Sequence, residues 1–216
     1  METCRKLIDL RKLLAERFPQ VPVQPGADFL ATGCYLIDSA AGGGLPRGAI
    51  TEISSPEPSA GSATLMTALI EAAAKAGHCV ALVDGSDSFD PAPFPPALLR
   101  HLLWIRCDSA LIAFKAADLL LRDGNFPLVL LDLVLNSANE FRKIPATSWY
   151  RLQRLVEPTS TAFVVLARCS LVASAHLKLS LRNRWTLQNF ESDQALSFLK
   201  LQVERTHFNI QGNAAG

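Results

Sequence analysis

Apolar and polar positions repeat with two different periods along this chain. Leu7, Leu10, Leu14 and Phe18 recur at spacings of three and four, which predicts a helix over residues 3–17 with a single apolar stripe. Residues 19–26 contain three prolines and a glycine, cannot continue that helix and read as a linker. Beyond them, short wholly apolar runs alternate with helical patterns. Residues 50–54 read as a strand, 62–76 as a helix that Gly77 ends, and 79–83 as a buried strand. Residues 109–122 read as a helix with Ser109 as N-cap and Gly124 just past its end. The run 128–135 is the most apolar in the chain and is broken only by Asp132. Residues 148–157 read as a helix stopped by Pro158, and 161–167 as another buried strand.

Strands that are apolar on both faces and separated by helices imply βαβ units, hence an α/β fold with a mostly parallel sheet flanked by helices. Near the end the pattern changes. Residues 185–190 and 199–204, joined by a polar turn at 192–194, predict an antiparallel edge pair. The expected organisation is an N-terminal helix and Pro-rich linker over 1–26, one core domain over 27–206, and a tail over 207–216 with too little apolar surface to stay ordered.

Composition narrows the class. At 216 residues, 49% hydrophobic and 19% charged, the chain has enough apolar material for a large core and too little charge for a disordered one. The five cysteines (4, 34, 79, 107, 169) and four histidines are widely spaced, so neither a metal site nor a disulfide framework is expected, and no cofactor is implied. Residues 1–18 lack the apolar stretch of a signal peptide, and no run approaches the roughly 20 apolar residues that span a bilayer. A soluble, cytoplasmic protein is expected.

The segment 50–65, ITEISSPEPSAGSATL, places a strand, a small-residue loop and a helix in the order of a phosphate-binding loop. Its chemistry is missing. With Gly61 as the second glycine of G-x-x-x-x-G-K-[ST], Pro56 falls at the first, Ser62 where lysine belongs, and Ala63 where the magnesium-binding hydroxyl belongs. No lysine lies between Arg47 and Lys75, and Pro56 and Pro58 each remove an N–H donor. An ordinary strand–helix connection is the better reading of this loop.

Residues 29–76 nevertheless resemble the bacterial RecA recombinases. The resemblance rests on Ala31-Thr32-Gly33, Ile37-Asp38, Gly43-Gly44-Leu45-Pro46-Arg47-Gly48, Ile50-Thr51-Glu52-Ile53 and Pro56-Glu57. Asp84-Gly85-Ser86-Asp87-Ser88-Phe89-Asp90-Pro91 is similar to the family's D-A-E-H-A-L-D-P segment, and residues 128–132 to its Walker B strand. The resemblance implies a RecA-like core in which the catalytic glutamate is replaced by Ser86. The γ-phosphate-sensing Asn-Gln pair is replaced by Ala167-Arg168, and Asp132 alone remains on the metal side. Phosphoryl transfer depends on positioning and charge neutralisation, so these losses together imply a chain that does not hydrolyse ATP.

Within the family, the chain is similar to the ImuA and SulA-like members in the run 149–155 and in Leu171-Val172 followed by the alternating Leu177-Lys178-Leu179-Ser180-Leu181-Arg182. That likeness implies a non-catalytic accessory protein of the SOS response, assisting error-prone translesion synthesis through a Y-family polymerase partner, RecA or DNA. Two other readings stay open: a divergent ATPase, and a SulA-like inhibitor of cell division.

Charge distribution bears on the partner. Although the whole chain carries +1, residues 142–184 hold eight cations (Arg142, Lys143, Arg151, Arg154, Arg168, Lys178, Arg182, Arg184) and one acid, Glu157, a net +7. Such a cluster suits DNA phosphates or an acidic protein surface, and equally an ordinary solvated face. Trp149, Tyr150 and Trp185 lie nearby and could stack on bases or pack inside. The stripe Leu7, Leu10, Leu14 could dock on the chain's own core or on a partner.

Overall fold

The computed structural model describes residues 28–58, 60–184 and 199–206, together with the helical residues 12–13 and 16–17. Leu7, Leu10 and Leu14, the predicted strand 185–190 and the tail 207–216 lie outside the described residues.

The described core opens with a small antiparallel pair, β1 (Phe29–Leu30) and β2 (Leu45–Pro46), on either side of helix α1 (Tyr35–Ala41). The sequence supplies this clasp through two devices. The Asp38 carboxylate accepts hydrogen bonds from the Thr32 N–H (2.9 Å), the Thr32 hydroxyl (2.6 Å) and the Gly33 N–H (3.2 Å), tying the threonine-glycine entry to α1. Gly44 lies so close to β1 that a Cβ there would sit 2.1 Å from the Leu30 carbonyl oxygen, and its φ of +137° is itself glycine territory. The GGLPRG motif is therefore a folding device. Its Arg47 donates to the carbonyls of Phe29 and Ser160, anchoring the clasp to the main sheet.

That sheet has seven strands in the order β5-β4-β6-β7-β3-β8-β9. They are β3 (Ala49–Ser54), β4 (Val80–Asp84), β5 (Leu102–Arg106), β6 (Leu128–Asp132), β7 (Ala162–Ala167), β8 (Leu177–Leu181) and β9 (Leu201–Thr206). All neighbours are parallel except β8 and β9. The helices are α2 (Ser62–Lys75), α3 (Pro96–Leu99), α4 (Ala110–Asp123), α5 (Ala138–Phe141) and α6 (Ala146–Val156). Alternate strand residues feed two cores. Ile53, Leu82, Leu130 and Val164 pack with Ile37 and with Leu65 and Leu69 of α2. Ile50, Val83, Leu131 and Val165 pack with Phe114 of α4 and with Trp149 and Leu152 of α6. Burial on both faces is why β3, β4 and β7 contain no exposed position.

The architecture is the expected RecA-like α/β fold with an antiparallel edge. Three details differ from expectation. The apolar run 128–135 is not all strand: β6 ends at Asp132, whose carboxylate turns the chain by accepting the Val134 N–H. The antiparallel partner of the last strand is β8, because Leu177, Leu179 and Leu181 point into one core while Lys178 and Ser180 face the other side of the sheet. Strand β5 and helix α1 were not foreseen; β5 is an edge strand of half-buried residues without a clear period.

Candidate functional site

In a parallel sheet all strands deliver their next residue to the same end, and here the loops after β3, β4 and β6 meet at the N-terminus of α2. They enclose a cavity of about 360 Å³. Ser62 and Ala63, the first turn of α2, form one wall, with Met66 and Thr67 one turn further. Phe89, Phe94, Val134 and Leu135 line the other sides. The polar lining includes Asp90 and Asp132; among the described residues no lysine, arginine or histidine lines it.

The predicted phosphate-loop residues are thus brought together, but the loop is held by other means than an anion. Gly61 takes a left-handed conformation (φ +93°) at the start of α2. The neighbouring Ala60 carbonyl accepts a 2.8 Å bond from the buried Asn183 side chain beyond β8. Glu57 pairs with Arg184 at 3.2 Å. Pro56 and Pro58 are exposed.

The segment after β4 wraps the Asp84 carboxylate, which accepts from the backbone N–H groups of Ser86, Ser88 and Phe89 and from the Trp104 indole. Asp84 is fully buried, and its role is to shape this loop. Ser86 is carried to the cavity's end of the sheet, yet its hydroxyl is buried and makes no hydrogen bond among the described groups. Behind it, Gly85 leaves room for Asn136: a Cβ at Gly85 would stand 2.4 Å from Asn136 Oδ1. Asn136 donates to the Gly85 carbonyl and to Glu140. Glu140 also accepts the N–H groups of Ser137 and of Ala110, the first residue of α4, and these bonds hold its carboxyl down at about 2. The segments after β4, β5 and β6 are therefore stitched to each other by Asn136 and Glu140, neither of which stood out in the sequence.

Asp132 is different. The sole hydrogen bond of its carboxylate among the described residues is from the Val134 N–H, at 3.0 Å. Burial, and secondarily the nearby Asp84 charge, push its carboxyl up to about 6. A carboxylate so poorly compensated is a cation-seeking group.

The structure separates the eight predicted contact cations. Arg142, Lys143, Arg168, Arg182 and Arg184 lie at or beyond the C-terminal end of the strands, with Arg182 paired to Glu204 and Arg184 to Glu57. Arg151 and Arg154 lie on the outer face of α6. Arg151 bonds Asp118 of α4 at 3.0 Å, and Arg154 borders a groove with Arg122. Lys178 has an internal partner. It faces Glu52 in register on β3, its ammonium 2.8 Å from the buried carboxylate, which also accepts from Ser170 and from the Leu171 and Val172 N–H groups. A glutamate inside a strand buried on both faces demands a cation, and that was the sequence signal for this pair. Of the aromatics, Trp149 is buried edge-on against Phe114 (5.0 Å, 88°) and Tyr150 is exposed; Trp185 lies outside the described residues.

No helix among the described residues is long and apolar enough to cross a membrane, and no three His, Cys, Asp or Glu side chains among them converge as a metal cluster.

Known proteins match the part of the chain that builds this corner. A RecA protein of Borrelia hermsii (strain HS1 / DAH) is 38% identical over 117 residues, 52% of this chain and 32% of its own length. The RecA protein of Methylococcus capsulatus is 40% identical over 110 residues, 50% of this chain and 31% of its own. DNA repair protein recA homolog 1 of Arabidopsis thaliana, a chloroplastic protein, is 36% identical over 107 residues, 48% of this chain and 24% of its own. The chain covers about a third or less of the length of these relatives. Residues 21–140 match the RecA N-terminal domain, and with the sheet order and the clasp motifs in place this chain belongs to that family.

Proposed function

We propose that this chain is a non-hydrolysing member of the RecA family that works in the DNA-damage response through contacts with other macromolecules, as an ImuA-like accessory to error-prone translesion synthesis. The observation that carries this is the charge of the cavity at the head of α2: two carboxylates, Asp90 and Asp132, and no cation among the described residues. A phosphate about 6 Å from a carboxylate is opposed by roughly 3 kcal/mol per charge pair at an effective dielectric of about 20. The partial positive charge of a helix N-terminus, about half a unit, does not offset that for a triphosphate. Ser62 supplies no ammonium over the phosphates, Ala63 no metal-binding hydroxyl, and Ser86 no carboxylate to orient water. Removing one transition-state contact costs about a hundred- to a thousandfold in rate, and several are missing together.

What remains are surfaces. Lys143 and Arg168 carry no ion pair among the described residues and stand at the loop end of the sheet, where they suit DNA phosphates or an acidic partner. The intended protein partner is a Y-family polymerase or a RecA filament. Calorimetric titration with Mg-ATP should give no saturable heat, phosphate release should stay at background, and the purified chain should bind one of those two partners. ATP turnover that vanishes in Asp132→Ala would overturn this reading in favour of a divergent ATPase, to which the surviving Asp132 at the end of β6 is the one favourable observation.

A further inference from the structure

We infer that the cavity at the head of α2 is a receptor for a cation carried on an apolar stem, a guanidinium or alkylammonium group. The inference rests on the reading that this corner no longer holds a triphosphate. Three features of the geometry point the same way. The Asp132 carboxylate is partly buried, lines the cavity and spends one oxygen on the Val134 N–H, leaving the other without a hydrogen bond among the described residues. Asp90 stands exposed at the mouth, bonded only to the Ala92 N–H. The same cavity is lined by Phe89 and Phe94, rings 5.3 Å apart, and by Met66 and Val134.

Aromatic rings and apolar side chains lining one cavity with an under-compensated carboxylate suit an arginine or lysine side chain: the methylenes pack on the apolar lining and the charged head meets the acid. At about 360 Å³ the space suits such a side chain or a molecule of that size. The Asp84 carboxylate beside it takes no part, because three backbone N–H groups and an indole N–H already surround it. Where a nucleotide-binding relative needs positive groups, the sign of this pocket is inverted.

The test is a methyl NMR titration of the full chain, following Met66 and Val134. n-Butylguanidine should shift both signals saturably, while hexanoate and n-butanol should not. Asp132→Asn should weaken the guanidine about ten- to a hundredfold, the usual worth of a charge-assisted hydrogen bond. Asp90→Asn, an exposed change, should weaken it by a smaller factor. Ser62→Lys, which brings an ammonium to the same wall, should abolish it. A blocked pentapeptide centred on arginine serves as the second arm: binding at least tenfold tighter than n-butylguanidine assigns the site to a partner's side chain, and equal or weaker binding assigns it to a free amine. Guanidine binding that is absent, or unaltered in all three variants, overturns the inference. Saturable ATP binding at the same methyl groups instead sinks the reading that this corner no longer holds a triphosphate, so the two failures are distinguishable.

Discussion

Replacing Asp132 by asparagine should make the protein more stable at neutral pH, and the size of the gain can be worked out from its surroundings. The carboxyl titrates near 6 in the folded chain against an ordinary 3.8, chiefly because burial disfavours its charge. A shift of about two pKa units corresponds to roughly 3 kcal/mol. The native state holds this proton more tightly than the unfolded state. The favourable contribution is therefore complete below pH 3.8, falls away as pH rises towards 6, and is absent above it. Asparagine resembles the protonated acid, keeps an oxygen for the Val134 N–H, and points its amide into the cavity. The variant should exceed wild type by about 1–3 kcal/mol at pH 8, with the difference shrinking to near zero by pH 4. Glu140 works in the opposite sense: its lowered carboxyl contributes stability above the ordinary value of 4.5 that is lost as pH falls towards 2. Both proteins share that loss, so it cancels in the difference. Urea unfolding at five pH values between 4 and 8, with unchanged m, measures the effect. A gain that is constant with pH, or a variant less stable than wild type at pH 8, would refute the account of Asp132 as a desolvated charge.

Three other outcomes follow from particular contacts. Lys178→Met strands the Glu52 carboxylate inside the sheet and should cost about 3–5 kcal/mol, while Glu52→Gln with Lys178→Met should recover most of it; urea midpoints of the single and double variants decide. Gly85→Ala forces a methyl against Asn136 Oδ1 and the Asp132 carbonyl and should destabilise by about 1–3 kcal/mol, read as a lowered thermal midpoint; an unchanged midpoint would mean the loops after β4 and β6 are not packed as described. If the loop end of the sheet meets single-stranded DNA, Arg168→Ala should lower the log–log salt slope of binding by about 0.7, measured by fluorescence anisotropy; an unaltered slope removes Arg168 from the contact.

Local pattern by itself determined much of this protein. Apolar runs at residues 79–83, 128–135 and 161–167 announced strands buried on both faces, because such strands need no polar side. Gly77 and Gly124 marked helix ends, and the absent lysine at Ser62 marked a degenerate phosphate loop, since these depend on a residue's own conformation or chemistry. The clasp motifs were legible as a family likeness, though the reason for Gly44, a carbonyl of β1 in the space of its missing side chain, was not. Tertiary structure alone decided which charges are free. The eight cations of 142–184 are one cluster along the chain, but Lys178 is consumed by Glu52, 126 positions earlier, and Arg151 by Asp118, because the parallel sheet and the α4–α6 contact bring distant residues together. The same folding placed Asp90 and Asp132, 42 residues apart, on one cavity that no cation among the described residues lines. Charge counted along a chain is a sum, whereas charge felt by a ligand is set by distance and burial, and only packing supplies those.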